Sequence, residues 1–107
     1  MKYGNSAYMQ VPLSVFEECY KKCKDPVGAI YLYVCLKRLE NIFTNPEDRD
    51  FFFRTDVELA EDCRIGLSTL RRYKKDLLRT DCVESWQSHF LYDGKKSEKH
   101  ITCYRLK

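Results

Sequence analysis

Residues 59–77 read LAEDCRIGLSTLRRYKKDL. Apolar side chains fall at Leu59, Ala60, Cys63, Ile65, Leu70, Tyr73 and Leu77, with spacings of three and four broken once around Ile65. That pattern predicts two short helices joined by a tight turn, each with one buried face. Ala60 supplies the small side chain that two steeply crossing helices need where they touch, and Ile65 is placed to plug the turn. The second helix is expected from about Leu67 to Arg79, with Leu70, Tyr73 and Leu77 facing inward. Leu67, Ser68, Arg71, Arg72 and Lys75 are then left on the opposite side and at its amino-terminal end. Just upstream, Thr55-Asp-Val-Glu58 has the capping-box pattern, in which the Thr and the Glu three residues later satisfy each other's backbone donors, so the first of the two helices starts there.

This stretch resembles the helix-turn-helix of bacterial and phage DNA-binding proteins, where a short helix carrying Leu-Ala precedes a tight turn and a second helix. Two positions depart from that pattern. Arg64 stands where Gly is usual, and a left-handed conformation there costs roughly 1 to 2 kcal/mol. Gly66 stands where Ser or Thr usually caps the second helix, a change worth only a few tenths of a kcal/mol, roughly, because Gly is an acceptable cap. Downstream, Asp81-Cys-Val-Glu84 resembles the Gly-Leu-Ile-Glu that leads into a wing, with Asp81 in place of Gly. Residues 85–92 alternate in polarity and predict a strand, His100 to Leu106 predicts a second, and Asp93-Gly94 marks the hairpin between them. The resemblance implies an α+β winged helix-turn-helix fold, mainly helical with about four helices and a small antiparallel sheet. It also implies double-stranded DNA as the partner. The second helix would meet base edges: Arg71 and Arg72 can fork onto guanine, Ser68 can serve base or phosphate, and Lys75 and Arg79 can neutralise phosphate, with Leu67 at the entrance. Lys95, Lys96 and Lys99 would reach DNA from the hairpin tip.

Working outward, Leu13, Phe16, Cys19, Tyr20 and Cys23 share helical spacing and predict a first helix over 13–24, with these residues inward. Asp25-Pro26 ends it and caps a second helix over about 26–43, apolar on most sides through Val27, Ala29, Ile30, Leu32, Val34, Cys35, Leu36, Leu39, Ile42 and Phe43. Residues 44–50 are polar, contain Pro46 and predict a surface loop. Phe51-Phe-Phe-Arg54 predicts a short strand that pairs with strands near the C-terminus. The expected organisation is one domain over 1–107: an arm at 1–12, leading helices at 13–43, the helix-turn-helix at 55–79 and the hairpin at 82–106. This layout also looks like the DNA-binding domains of plasmid or phage replication initiators, and a compact transcriptional regulator fits it equally.

Charge separates along the chain. Residues 1–63 carry eight Lys/Arg against eleven Asp/Glu, whereas residues 64–107 carry eleven against five. The second half therefore holds a positive field suited to a polyanion. The apolar run from Val27 to Leu36 falls well short of the roughly 20 residues of a membrane span, and no export signal stands at the start, so a cytoplasmic protein with free thiols is expected. Of the six cysteines, at 19, 23, 35, 63, 82 and 103, only Cys19 and Cys23 lie close in sequence, with no histidine near them, so no metal and no other cofactor is expected. His89 and His100 stand beside no candidate nucleophile or carboxylate cluster, and no glycine-rich phosphate loop occurs, so no enzyme is expected. Phe51, Phe52, Phe53, Trp86, Phe90 and Tyr104 are read as core and strand residues. Two alternatives stay open, a protein-interaction module that uses the aromatics of residues 1–53 and an RNA-binding module that recognises A-form shape; beside DNA binding, the first half is also expected to be able to supply a homodimer contact.

Overall fold

A computed structural model describes residues 11–43, 51–92 and 95–106, with the backbone alone over 88–92 and 95–101. Among these residues four helices and three strands follow in the order α1 (Leu13–Lys22), α2 (Pro26–Phe43), β1 (Phe52–Arg54), α3 (Asp56–Cys63), α4 (Leu67–Leu77), β2 (Val83–Tyr92) and β3 (Lys95–Leu106). The fold is thus α+β and mainly helical, with one antiparallel sheet. The expected loop at 44–50, residues 1–10 of the expected arm at 1–12 and the turn at Asp93-Gly94 lie outside the described residues.

Asp25 caps α2 as expected: its Oδ1 accepts from the Gly28 N–H at 3.1 Å, and Pro26 occupies the first helical position, where its missing N–H costs nothing. Gly28, Ala29, Leu32, Tyr33, Leu36 and Leu39 are its buried residues. Val27, Ile42 and Phe43, expected among its apolar core positions, are exposed instead. The burial follows i, i+4 and i+7 from Ala29, because α2 packs against α1, α3, α4, β1 and β3 and still leaves one side uncovered.

The first helix corrects the expectation further. It ends at Lys22, two residues early, and buries Val15 and Cys19. Leu13 is 77% exposed, Tyr20 63% and Phe16 37%. Cys19 belongs both to the expected set and to the set Val15, Cys19, Cys23, and helical spacing alone does not choose between them. The smaller side chains face α2 and α4, and the larger ones are left outside.

Gly28 lets α2 and α4 meet closely. A methyl built there would stand 2.5 Å from Tyr73 Cδ1 and 2.6 Å from Cζ, well inside contact distance. Gly28→Ala is therefore expected to lower stability by about 1 to 2 kcal/mol, because the Tyr73 ring must leave its site. In a Tyr73→Leu background the same change should turn neutral or stabilising by up to about 1 kcal/mol, since Ala is the better helix former. Chemical denaturation of the four proteins reads this, and an equal cost of Gly28→Ala in both backgrounds would show that the ring is not what excludes a side chain.

Thr55 Oγ1 accepts from the Glu58 N–H at 3.1 Å and Glu58 accepts from the Thr55 N–H at 3.2 Å, completing the capping box at the start of α3. The helix stops at Arg64, which adopts φ 57° and ψ 44°. This is the left-handed conformation expected if Arg replaced Gly without a change in the turn. The Ile65 N–H donates to Ala60 O at 3.1 Å, and Ile65 packs half-buried on the core. After Gly66, α4 runs to Leu77, two residues short of the expected end. There buried Thr80 donates to Leu77 O at 2.7 Å and accepts from the Cys82 N–H at 3.2 Å, steering the chain into β2.

The sheet has the order β1-β3-β2, so the last strand lies between its hairpin partner β2 and the short strand that precedes α3. Phe52 pairs with Tyr104, and both are fully buried with ring centroids 5.6 Å apart. β3 begins at Lys95, five residues earlier than expected. The register shifts between His89↔His100 and Leu91↔Lys96, so residues 97–99 stand opposite Phe90 alone, a local irregularity of the kind that bends a hairpin.

Candidate nucleic-acid interface

Along α4 and just past its end, two sets of cations separate by what they meet. Lys74 lies one turn from Leu70 and beside Leu77, on the inward side, and its ammonium pairs with Asp56 Oδ1 at 2.7 Å. Burial alone would lower its pKa, but the hydrogen bond to Asp56 and the neighbouring Tyr104 outweigh that and hold it above the usual lysine range. Asp56 sits in the first turn of α3, where the helix dipole also favours a carboxylate. Arg71 leans toward the same carboxylate, with Nε 3.5 Å from Oδ2, but is 63% exposed. A pair that exposed is worth little and is easily given up.

Arg72, Lys75 and Arg79 form the second set, with Ser68 one turn before them, and all four are exposed. Neither Arg72 nor Lys75 makes an ion pair with a described residue. The guanidinium of Arg72 lies 5.5 Å from the Tyr73 ring centroid, which braces it over the helix surface. Arg79 approaches Asp76 Oδ1 at 3.6 Å. Leu67, expected on the exposed side, is half-buried and packs on the core. It therefore anchors the start of α4 in addition to lying at its entrance. The backbone positions of Lys95 and Lys96 pair with Tyr92 and Leu91 at the end of the hairpin, and Lys99 falls in the irregular stretch of β3. The side chains of these three lysines, and of His89 and His100, lie outside the described residues.

A hollow of about 440 Å³ opens beside the second set, lined by Lys24, Asp25, Arg72, Lys75, Asp76 and Arg79. Sequence reading missed Lys24 and Asp76 and read Asp25 only as a helix cap. Asp76 is only 4% exposed although it belongs to a polar run. Its Oδ2 accepts from the Asp25 N–H at 2.9 Å, and its carbonyl accepts from Cys23 Sγ at 3.3 Å, so it staples the α1–α2 corner to α4. Lys24 is carried to the hollow by that staple. A signal for Lys74 was present in its i+4 spacing from Leu70, but none in the sequence joined Asp76 to a corner fifty-one residues away.

Arg54 completes the surroundings of α3. It holds Asp62 in a two-pronged pair, Nε to Oδ2 at 2.8 Å and Nη2 to Oδ1 at 3.0 Å, and reaches Glu58 at 2.8 Å, so one guanidinium ties together two carboxylates of α3. All six cysteines carry free thiols. Burial, with the neighbouring Cys23, pushes the Cys19 thiol up to about 12. Cys35 moves the other way, lowered to about 7 by the hydrogen bond with Cys63, against the effect of its own burial. Among the described residues no three His, Cys, Asp or Glu side chains are grouped to hold a metal, and no helix is long and apolar enough to cross a membrane. No protein family, no curated protein and no solved structure matches the chain.

Proposed function

We propose that this chain is a winged helix-turn-helix domain that binds double-stranded DNA without catalysing a reaction, as a transcriptional regulator or as the DNA-binding part of a plasmid or phage replication initiator. One observation carries the reading. Ser68, Arg72 and Lys75 are exposed on α4 and Arg79 just past its end, while the cation on its inner side, Lys74, is neutralised by Asp56. The fold thus spends one positive charge internally and leaves a row of them to solvent. The element order and the strand order β1-β3-β2 support the same reading, since they put a helix pair with a tight turn in front of a basic hairpin.

The test is binding of a mixed-sequence duplex at several salt concentrations. Contact with about four to six phosphates predicts a slope of log affinity against log salt near −4 to −5. Absence of binding by the folded protein at low salt would overturn the proposal, and tighter binding of an A-form RNA duplex would redirect it to RNA. One observation favours assembly as a second role: Leu13, Phe16 and Tyr20 form an exposed apolar stripe on α1. Light scattering with and without DNA would detect a homodimer through it.

A further inference from the structure

The hollow beside α4 is surrounded by more positive charge than the fold itself uses. Four cationic side chains, Lys24, Arg72, Lys75 and Arg79, line it together with two carboxylates. Both carboxylates are already engaged by backbone: Asp25 Oδ1 receives the Gly28 N–H at 3.1 Å and Asp76 Oδ2 receives the Asp25 N–H at 2.9 Å. The remaining oxygen of Asp76 approaches Arg79 alone among the four cations, at 3.6 Å. Lys24, Arg72 and Lys75 pair with no described carboxylate. Like charges gathered around one hollow repel each other, and an anion seated between them reverses the sign of that interaction.

The shape of the array selects the anion. Arg72 and Lys75 follow one another along α4, and Arg79 stands two residues past its end in the turn closed by the Arg79 N–H to Asp76 O bond at 3.0 Å, so the three are spread along the chain. That is a line of charge rather than a point, suited to an extended polyanion. Lys24 faces this line from a separate element, across the hollow. Its place is fixed by the Asp25 N–H and Cys23 Sγ bonds to Asp76 and by the packing of Tyr73 on Gly28.

We infer that the α1–α2 corner is a second half of the DNA interface, with Lys24 and the Arg72, Lys75, Arg79 row gripping a backbone phosphate segment from two sides and Asp76 acting as the residue that positions Lys24. The inference rests on the DNA-binding reading above and adds to it a contact from outside the helix-turn-helix and the hairpin.

The experiment compares duplex affinity and its salt dependence for the parent chain, Lys24→Glu, Lys21→Glu and the Arg72→Glu, Lys75→Glu double variant. Lys21 carries the same charge at an exposed position near the end of α1, three residues before Lys24, but does not line the hollow. Lys24→Glu should bind about tenfold more weakly at 50 mM salt, with a slope less steep by about 0.9, so that its loss of affinity between 50 and 200 mM is smaller by about 3.5-fold. Lys21→Glu should stay within about twofold of the parent. Inorganic phosphate at matched ionic strength should not displace the duplex. Parent-like binding by Lys24→Glu while the double variant fails would overturn the inference and leave the DNA-binding reading intact. Equal losses at Lys21 and Lys24 would overturn it too, since net charge alone would then account for both. Displacement by millimolar phosphate would make the hollow a small-anion site instead. If the parent binds no duplex, the DNA-binding reading falls and the inference with it.

Discussion

Reversing the charge of Arg72 and Lys75 together is expected to weaken duplex binding about a hundredfold or more at 50 mM salt, equivalent to about 2.8 kcal/mol, and to leave the protein as stable as before or slightly more so. The two effects have separate origins. Each reversal removes a cation that meets phosphate or a base edge and puts a repelling carboxylate in its place, and the salt slope should flatten by about 1.8 as two phosphate contacts disappear. Within the fold, neither side chain has an ion-pair partner among the described residues to lose. Their new carboxylates would face Lys24 and Arg79 and relieve the crowding of like charge around the hollow. Binding that falls while the melting temperature holds or rises separates a lost interface from a damaged fold. A double variant that binds like the parent would remove α4 from the interface. Arg71 is the poorer choice for this test, because a carboxylate there would confront Asp56, 3.5 Å from the present Arg71 Nε, and mix a folding effect into the measurement.

The largest effect on stability is expected from Leu70→Ala. Leu70 is fully buried at the start of α4 in the cluster that includes Leu36, Leu59, Cys63 and Leu77. Truncating it removes the transfer energy of its side chain and leaves a cavity between helices that cannot close on it, a cost of about 3 to 4 kcal/mol. Against a total stability of roughly 5 to 15 kcal/mol for a chain of this size, that is a large fraction, and it corresponds to a fall of roughly 15 °C in melting temperature. Leu13→Ala makes the same chemical change at a position 77% exposed and should cost less than about 0.5 kcal/mol. Thermal and denaturant unfolding of the pair reads the contrast. If Leu13→Ala proved as costly as Leu70→Ala, the large side chains of α1 would have to be the inward ones after all.

How far the sequence discloses this molecule depends on whether an element carries its own punctuation. The ends of α2 and α3 were legible because Asp25-Pro26 and Thr55 to Glu58 are local signals whose hydrogen bonds form within three residues. The turn at Arg64 was legible for the opposite reason: the spacing on both sides demanded a sharp reversal even though the residue type disfavours it. The inward face of α1 was not legible, because two sets of side chains satisfy helical spacing and only the position of α2 and α4 decides between them. The candidate site divides in the same way. Ser68, Arg71, Arg72 and Lys75 follow from the face that Leu70, Tyr73 and Leu77 leave exposed. Lys24 and Asp76 do not, because the corner that brings them together is made by contacts between residues far apart in the chain. Leu67 shows the remaining limit, since an apolar residue at the first position of a helix is free to turn toward the core.

The placement of β3 between β1 and β2 has a consequence for how the molecule is assembled in time. The helices and the hairpin are closed by neighbours in the sequence, and such local contacts form early because little chain entropy is lost in making them. The pairing of Phe52 with Tyr104 has to wait until segments fifty-two residues apart have met. Closing β1 on β3 is therefore expected to be a late step of folding, together with the equally distant docking of the α1–α2 corner on α4, the moment at which α3 and α4, which lie between β1 and β3 in the chain, lose their last freedom to drift from the rest of the core.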